Sequence, residues 1–325
     1  MTTDAVRVTG VTKRFADHVA VRDLSFTVPA GVVFGVLGPN GAGKSTTLRM
    51  VNDIIAPDGG EIRILDKFAP GRDAAPHIGY LPEERGLYPK MKVVDMLTFM
   101  AELRGVSIRD AKLRAGKWLE RLGLTQWTRN KVQDLSKGMQ QKVQFAAAVI
   151  HDPELVILDE PWSGLDPINA EVLREVVAEQ KAAGRTILFS THQMEQAEKI
   201  CDHVCIIARG AKVLDGPLVD VKRAAVKDGL VALAFIDEAA RAAAEPVLAD
   251  RSLILARRPP RPGDTADLEV ELAAGAAPEK LLRELVATGA AITRFEVVVP
   301  TLHQIFVERV GAENAAVAAH TDGAA

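Results

Sequence analysis

Cysteine is nearly absent: two in 325 residues, Cys201 and Cys205, which excludes a disulfide-stapled scaffold. Four positions apart, they could share one side of a helical turn. With only His203 nearby as a further ligand, two reduced, partly buried thiols are expected rather than a metal pair. Aromatic residues are scarce, at 5%, and neither sign of charge dominates, 40 Lys and Arg standing against 43 Asp and Glu. The basic footprint of a nucleic-acid binder is missing, and the interspersed signs read as a solvated surface. No apolar run approaches the ~20 residues that span a bilayer, and the opening MTTDAVRVTGVTKRF lacks the apolar core of a secretory signal. Work at a membrane would therefore be done from the cytoplasmic face, through another chain.

What is present is an ordinary globular composition, with 48% apolar residues, in a length that accommodates a large domain and a smaller second one. Val6-Arg-Val-Thr9 and Leu24-Ser-Phe-Thr-Val28 alternate apolar and polar residues and predict an opening strand pair. Val32-Val-Phe-Gly-Val-Leu37 is nearly all apolar and ends in a glycine-rich turn, the pattern of a strand buried on both faces of a parallel sheet. A helix is predicted from Lys44 to about Asn52. Residues from about 88 to 150 carry apolar positions at helical spacing, as in Val93–Leu103 and Lys112–Leu122. Leu155–Leu158 and Thr186–Phe189 read as further buried strands, with a helix from about Asn169 to Ala183 between them. The expectation is an α/β core with a helical insertion, over residues 1–222.

Beyond Gly229 the pattern changes to weak strands at Leu230–Phe235, Leu253–Ala256, Leu268–Leu272 and Ile292–Val298, with a helix from about Glu279 to Thr288. These predict a small α+β domain over 229–311, with a proline-rich surface loop at 257–264. The alanine-rich residues 312–325 read as a disordered tail.

Gly38-Pro-Asn-Gly-Ala-Gly-Lys-Ser45 fits the phosphate-loop pattern, placed between a predicted strand and a predicted helix. Glycines let successive backbone N–H groups converge on a phosphate, and the new helix offers it a positive end. Lys44 would reach the β- and γ-phosphates of a nucleotide, and the Ser45 hydroxyl would bind Mg²⁺. At about 7% glycine the pattern arises by chance in such a chain only about once in a hundred.

Leu155-Val-Ile-Leu-Asp-Glu160 is a buried strand ending in two carboxylates. In an open α/β sheet ligands collect at the carboxyl ends of strands, so Asp159 would hold Mg²⁺ and Glu160 would polarise the attacking water. His192 follows another buried strand and would reach the same sheet edge, where an imidazole can touch the γ-phosphate.

Leu135-Ser-Lys-Gly-Met-Gln-Gln-Lys142, shortly before the carboxylate strand, resembles the signature motif of the ABC transporter nucleotide-binding domains. With the phosphate loop and carboxylates the resemblance covers about residues 4 to 220. It implies a P-loop ATPase that uses ATP and Mg²⁺. Its cofactor-binding positions would be Phe15, stacking on adenine; Gly38, Pro39, Asn40, Gly41, Ala42, Gly43, Lys44, Ser45 and Thr46; Glu83; Ser136 and Gly138, closing over the opposite subunit's ATP; and Asp166, in the Ser163-Gly-Leu-Asp166 loop along that subunit. Glu160, His192 and Lys44 would be catalytic, and Ser45, Asp159 and Glu83 would ligate the metal. The implied partners are a second copy or a homologue and an integral-membrane permease, docked around Gly86–Val94.

Two departures stand out. Lys137 and Met139 replace residues of the usual Leu-Ser-Gly-Gly-Gln, and Glu83 stands after Ile78-Gly-Tyr-Leu-Pro82 where a glutamine is usual. Pro300-Thr-Leu-His-Gln-Ile-Phe-Val-Glu308 resembles a C-terminal segment of a bacterial subgroup related to sodium- and drug-exporting systems. The reading is thus an exporter ATPase. Its rivals are a soluble ABC ATPase of translation or repair, against which stand the single cassette and the missing coiled coil, and a non-hydrolysing regulatory module, against which stand intact Lys44, Asp159, Glu160 and His192.

Overall fold

The structure is a computed structural model that describes residues 4–84, 86–225, 229–260 and 265–321. The chain divides into two compact units, one formed by residues up to Leu218 together with those from Phe306, the other by Val219–Ile305.

In chain order the first unit opens with β1 (Asp4–Phe15), β2 (His18–Pro29), β3 (Val33–Leu37), α1 (Lys44–Val51), β4 (Gly59–Ile64) and β5 (Ile78–Leu81). A helical stretch follows, α2 (Val93–Glu102), α3 (Ile108–Arg121) and α4 (Lys137–Val149). The chain then alternates β6 (Leu155–Asp159), α5 (Pro167–Ala182), β7 (Thr186–Thr191), α6 (Met194–Ile200), β8 (His203–Ala208) and β9 (Ala211–Pro217), after which α7 (Leu218–Ala225) opens the second unit.

The six-stranded sheet has the order β5-β6-β7-β3-β8-β9. All neighbours are parallel except the β8–β9 pair. Every residue of β3, β6 and β7 is buried, which is why these strands read as unbroken apolar runs rather than alternating ones. A separate antiparallel sheet, β2-β1-β4, contributes Val6, Val8, Leu24 and Phe26 to the same core as Phe34 and Val36 of β3. Its period-two alternation was legible; β4 and β5, short and interrupted by glycine, were not.

The register of the parallel strands positions the site. Leu37 pairs with Thr191, Asp159 with Ser190, and Leu81 with Leu158. The carboxyl ends of β3, β5, β6 and β7 therefore meet at one edge.

The second unit continues with β10 (Leu230–Phe235), α8 (Glu238–Leu248), β11 (Ile254–Arg258), β12 (Leu268–Leu272), α9 (Pro278–Ala287) and β13 (Ile292–Val297), after which α10 (Leu302–Thr321) begins. The antiparallel order is β11-β12-β10-β13, and Ala240, Ala244 and Leu248 of α8 share a core with Leu281 and Leu285 of α9. Helix α8 escaped the sequence reading because its buried stripe is mostly alanine, a weak hydrophobic signal but the strongest helix former; Asp237 caps it, accepting from the Ala240 N–H at 2.7 Å.

Details of three segments follow from these bounds. Cys201 closes α6 whereas Cys205 lies within β8, so the two do not share a helical turn; both are free and buried, and burial pushes both thiols up from their ordinary pKa. The backbone of α10 is helical to Thr321, in keeping with the helix propensity of alanine. The loop expected at 257–264 starts later, since β11 runs through Arg258, and residues 261–264 lie outside the described residues.

Two close approaches give tests of the core. At Gly79 of β5 an added Cβ would lie 2.2 Å from the carbonyl oxygen of Ala148. Gly79→Ala is expected to destabilise the first unit by about 2 kcal/mol or more, read as a lowered urea midpoint. His151, just after α4, donates from Nε2 to the Ile78 carbonyl at 3.1 Å, while its buried Nδ1 has no partner. Burial, with Arg104 nearby, holds its pKa down to about 4 from an ordinary 6.5. The folded state thus keeps His151 neutral while the unfolded chain takes up the proton, so this contribution is complete above pH 6.5 and is lost as pH falls toward about 4. His151→Gln, which retains a donor, is expected to flatten the pH dependence of the urea midpoint across that window.

Candidate functional site

The glycine-rich turn links β3 to α1. Gly38 has φ 151°, and a Cβ there would lie 2.1 Å from the Ile207 carbonyl oxygen, so only glycine fits. Gly43 (φ 100°) caps α1, and the first N–H groups of that helix begin at the pocket. Lys44 is 5% exposed. Its Nζ donates to the carbonyls of Gly38 (2.9 Å) and Pro39 (3.1 Å) and stands 3.6 Å from Glu160 Oε1. Around it lies a pocket of about 400 Å³ lined by Phe15, Asn40–Thr46, Glu83 and Glu160, with His18 and Ala20.

The carboxylates stand at the end of β6. Asp159 is fully buried; its Oδ1 accepts from the Ser45 hydroxyl at 3.0 Å and from the Ser190 hydroxyl, while its Oδ2 is buried with no partner. Burial raises its pKa, against the opposing pull of those two hydroxyls. A buried carboxylate with a spare oxygen, beside a hydroxyl and a phosphate loop, fits a Mg²⁺ ion, which takes few protein ligands and completes its octahedron with phosphate and water. Among the described residues no cluster of three or more His, Cys, Asp or Glu could hold a metal by itself.

Glu160 is 6% exposed and takes the left-handed conformation, φ 48°, which turns its side chain toward β7. Its Oε1 accepts from the His192 backbone N–H (3.0 Å) and from His192 Nδ1–H (2.9 Å), and its Oε2 from the Thr191 hydroxyl (3.0 Å). Consecutive side chains at the end of β7 thus serve different carboxylates, Ser190 holding Asp159 and Thr191 and His192 holding Glu160.

Phe15 ends β1, and with His18 it flanks the two-residue turn into β2. It is 47% exposed over the pocket, with Lys13 Nζ 5.6 Å from its ring centroid. A large aromatic left that open costs hydrophobic stabilisation unless something flat covers it. Glu83, exposed in the loop after β5, lines the same pocket.

Ser136, Gly138 and Asp166 are not among the pocket-lining residues. They form a separate cluster: Ser136 caps α4, accepting from Met139 N–H at 3.3 Å, and Asp166 caps α5, accepting from Asn169 N–H at 2.9 Å. A Cβ on Gly138 would lie 3.0 Å from Asn169 Nδ2, so the two caps adjoin. Lys137 is exposed. Sequence reading missed Ser190, Thr191 and His18; the hydroxyls leave no periodic trace, and His18 depends on where the hairpin turns.

Comparison with known proteins accords with this geometry. Residues 21–163 match the ABC transporter family, and residues 216–310 match the C-terminal domain of DrrA1-3-like ATP-binding proteins. The chain is 42% identical to the uncharacterized ABC transporter ATP-binding protein YhaQ of Bacillus subtilis (strain 168), over 93% of this chain and 97% of that one. It is 40% identical to the Nod factor export ATP-binding protein I of Bradyrhizobium diazoefficiens (strain JCM 10833 / BCRC 13528 / IAM 13628 / NBRC 14792 / USDA 110), over 66% of this chain and 71% of that one. Among solved structures, the ATP-binding subunit of an ABC transporter superposes with a TM-score of 0.62 at 31% identity, covering 68% of this chain and 92% of that one. ABC ATPase subunits bind ATP, generally with Mg²⁺, dimerise, and work with membrane permease components. With a relative matched over nearly its whole length, and a phosphate loop, buried carboxylates and signature helix in one α/β unit, this chain belongs to the ATP-binding, ATP-hydrolysing subunits of ABC transporters.

Proposed function

We propose that the chain drives export through a separate permease, hydrolysing ATP at the cytoplasmic face of the membrane as one half of an ATPase dimer. Export is the direction carried by the Nod factor export relatives. No helix among the described residues is long and apolar enough to cross a membrane, in keeping with a separate permease. The transporter relatives favour this reading over a soluble ATPase of translation or repair.

The observation that carries the chemistry is Glu160, buried at the floor of the pocket with Lys44 3.6 Å away and His192 on the same oxygen. Lys44 already donates to phosphate-loop carbonyls, and the oxygens of a β,γ-phosphate group would replace them as acceptors. The Asn40–Thr46 backbone would cradle the phosphates, and Phe15 would stack on the adenine. Ser45, Asp159 and Glu83 would hold Mg²⁺, which when bound neutralises charge developing on the phosphate oxygens. Glu160 would take a proton from the attacking water as general base. His192, sharing Oε1, would hold that carboxylate in place and turn its other ring nitrogen toward the γ-phosphate. Ser136, Gly138 and Asp166, outside the chain's own pocket, would close on the ATP of the opposite subunit. The closed dimer would open again once hydrolysis removes the γ-phosphate.

Lys44→Ala is expected to abolish nucleotide binding or turnover. Glu160→Gln should retain ATP binding but lower turnover by about a hundredfold or more, accumulating an ATP-bound dimer by size exclusion. His192→Ala should slow turnover with little change in ATP affinity. Normal turnover in Glu160→Gln would remove the base assignment, and in His192→Ala it would leave that histidine a purely architectural role.

The permease is proposed to dock around Gly86–Val94, where Tyr88 is 52% exposed with its ring edge-on to Phe99. ATP-loaded Glu160→Gln drawn from detergent-solubilised host membranes is expected to bring an integral-membrane protein with it, and Tyr88→Ala to weaken that capture. A soluble dimer alone would overturn the transporter partnership.

A further inference from the structure

Helix α4 starts at the signature segment and runs beneath both loops that carry pocket-lining carboxylates. Two buried glutamines, three positions apart and so on one face of the helix, reach those loops. Gln141 donates from Nε2 to the Pro161 carbonyl, immediately after Glu160, at 3.2 Å. Gln144, 4% exposed, donates from the same nitrogen to the carbonyls of Pro82 and Glu84, each at 3.1 Å. These carbonyls flank Glu83 on both sides.

The amide of Gln144 can point only one way. Two carbonyl oxygens converge on one end of it, and an amide oxygen placed there would face two acceptors. Its own oxygen is consequently buried with no partner, an arrangement that costs about 1–3 kcal/mol. An aliphatic residue at this helix position would bury the same surface without that cost, but it would leave the loop unpinned. Glu83 is exposed and lines the pocket, and the hold on the carbonyls either side of it fixes the backbone from which its carboxylate extends.

We propose that Gln144 is a positioning residue: by clamping the carbonyls of Pro82 and Glu84 it sets Glu83 against the phosphates and metal of the bound nucleotide, tying that carboxylate to the signature helix. The proposal rests on the reading of Glu83 as a group facing Mg²⁺ and nucleotide. Movement of α4 when the signature segment meets the opposite subunit's ATP would pass to Glu83 through two hydrogen bonds, linking the dimer's two sites by a direct mechanical route.

The test is a double-mutant cycle on the full chain. Gln144→Met keeps length and burial but removes both donors; Gln144→Asn keeps an amide one methylene short; Glu83→Ala removes the carboxylate. Steady-state ATPase activity is measured as a function of Mg²⁺ and ATP, together with Mg²⁺-dependent binding of ATP to the non-hydrolysing Glu160→Gln form. Gln144→Met is expected to lower kcat/KM for Mg·ATP about tenfold and to raise the Mg²⁺ concentration for half-maximal binding, since small misplacements at a reacting centre are costly. Gln144→Asn should fall between it and the wild type, and carries the test alone if Gln144→Met fails to fold. In the Glu83→Ala background either Gln144 substitution should have no further effect. A loss that persists undiminished in that background would make Gln144 a structural tie and overturn the proposal while leaving the role of Glu83 intact. Unchanged Mg²⁺ dependence in Glu83→Ala alone would overturn both.

Discussion

The alignment of parallel strand ends is the constraint on which everything else in the first unit depends. Hydrogen-bonded register places Leu37 beside Thr191 and Asp159 beside Ser190, so groups far apart in sequence emerge within a few ångströms of one another. The phosphate loop, the carboxylates, their hydroxyl partners and His192 are consequences of that single edge. A one-residue slip of β6 against β7 would part Asp159 from Ser190, so the site depends on this register.

On this edge the groups are held by one another. Lys44, Glu160, His192 and Thr191 form a connected set around one carboxylate, and Ser45, Asp159 and Ser190 a second set around its neighbour. Buried polar networks are stable only where nearly every member is satisfied. Among the described residues of these two sets, Asp159 Oδ2 is the oxygen left without a partner, one that a cation would supply. The left-handed backbone at Glu160 is compatible with this view, since strain of that kind persists only where surrounding contacts enforce it.

Much of this was legible in the sequence because it is chemistry carried by short segments. The phosphate loop, the carboxylate pair and the signature segment each need particular residues at fixed offsets, and the buried strands announce themselves as apolar runs. What could not be read depends on pairing across long distances. Ser190 and Thr191 look like ordinary strand residues until the register of β6 and β7 sets them opposite Asp159 and Glu160. Gln141 and Gln144 look like solvated helix positions until α4 is laid under the two loops. The cysteines are free and buried, as expected, although α6 ends at Cys201 and the chain turns into β8 before Cys205. Helix α8 was hidden because two of its three buried positions are alanine, Ala240 and Ala244, which do not stand out as core residues in a sequence.

The burial of both thiols has a practical side. A thiolate is the reactive form, and these groups are kept protonated and out of reach of solvent. Maleimide and iodoacetamide reagents should therefore pass over the native protein. A single cysteine introduced at an exposed position, on the signature loop or beside Tyr88, would then be the only residue to take a fluorophore or spin label, and opening and closing of the dimer could be followed by distance measurements in an otherwise unaltered chain.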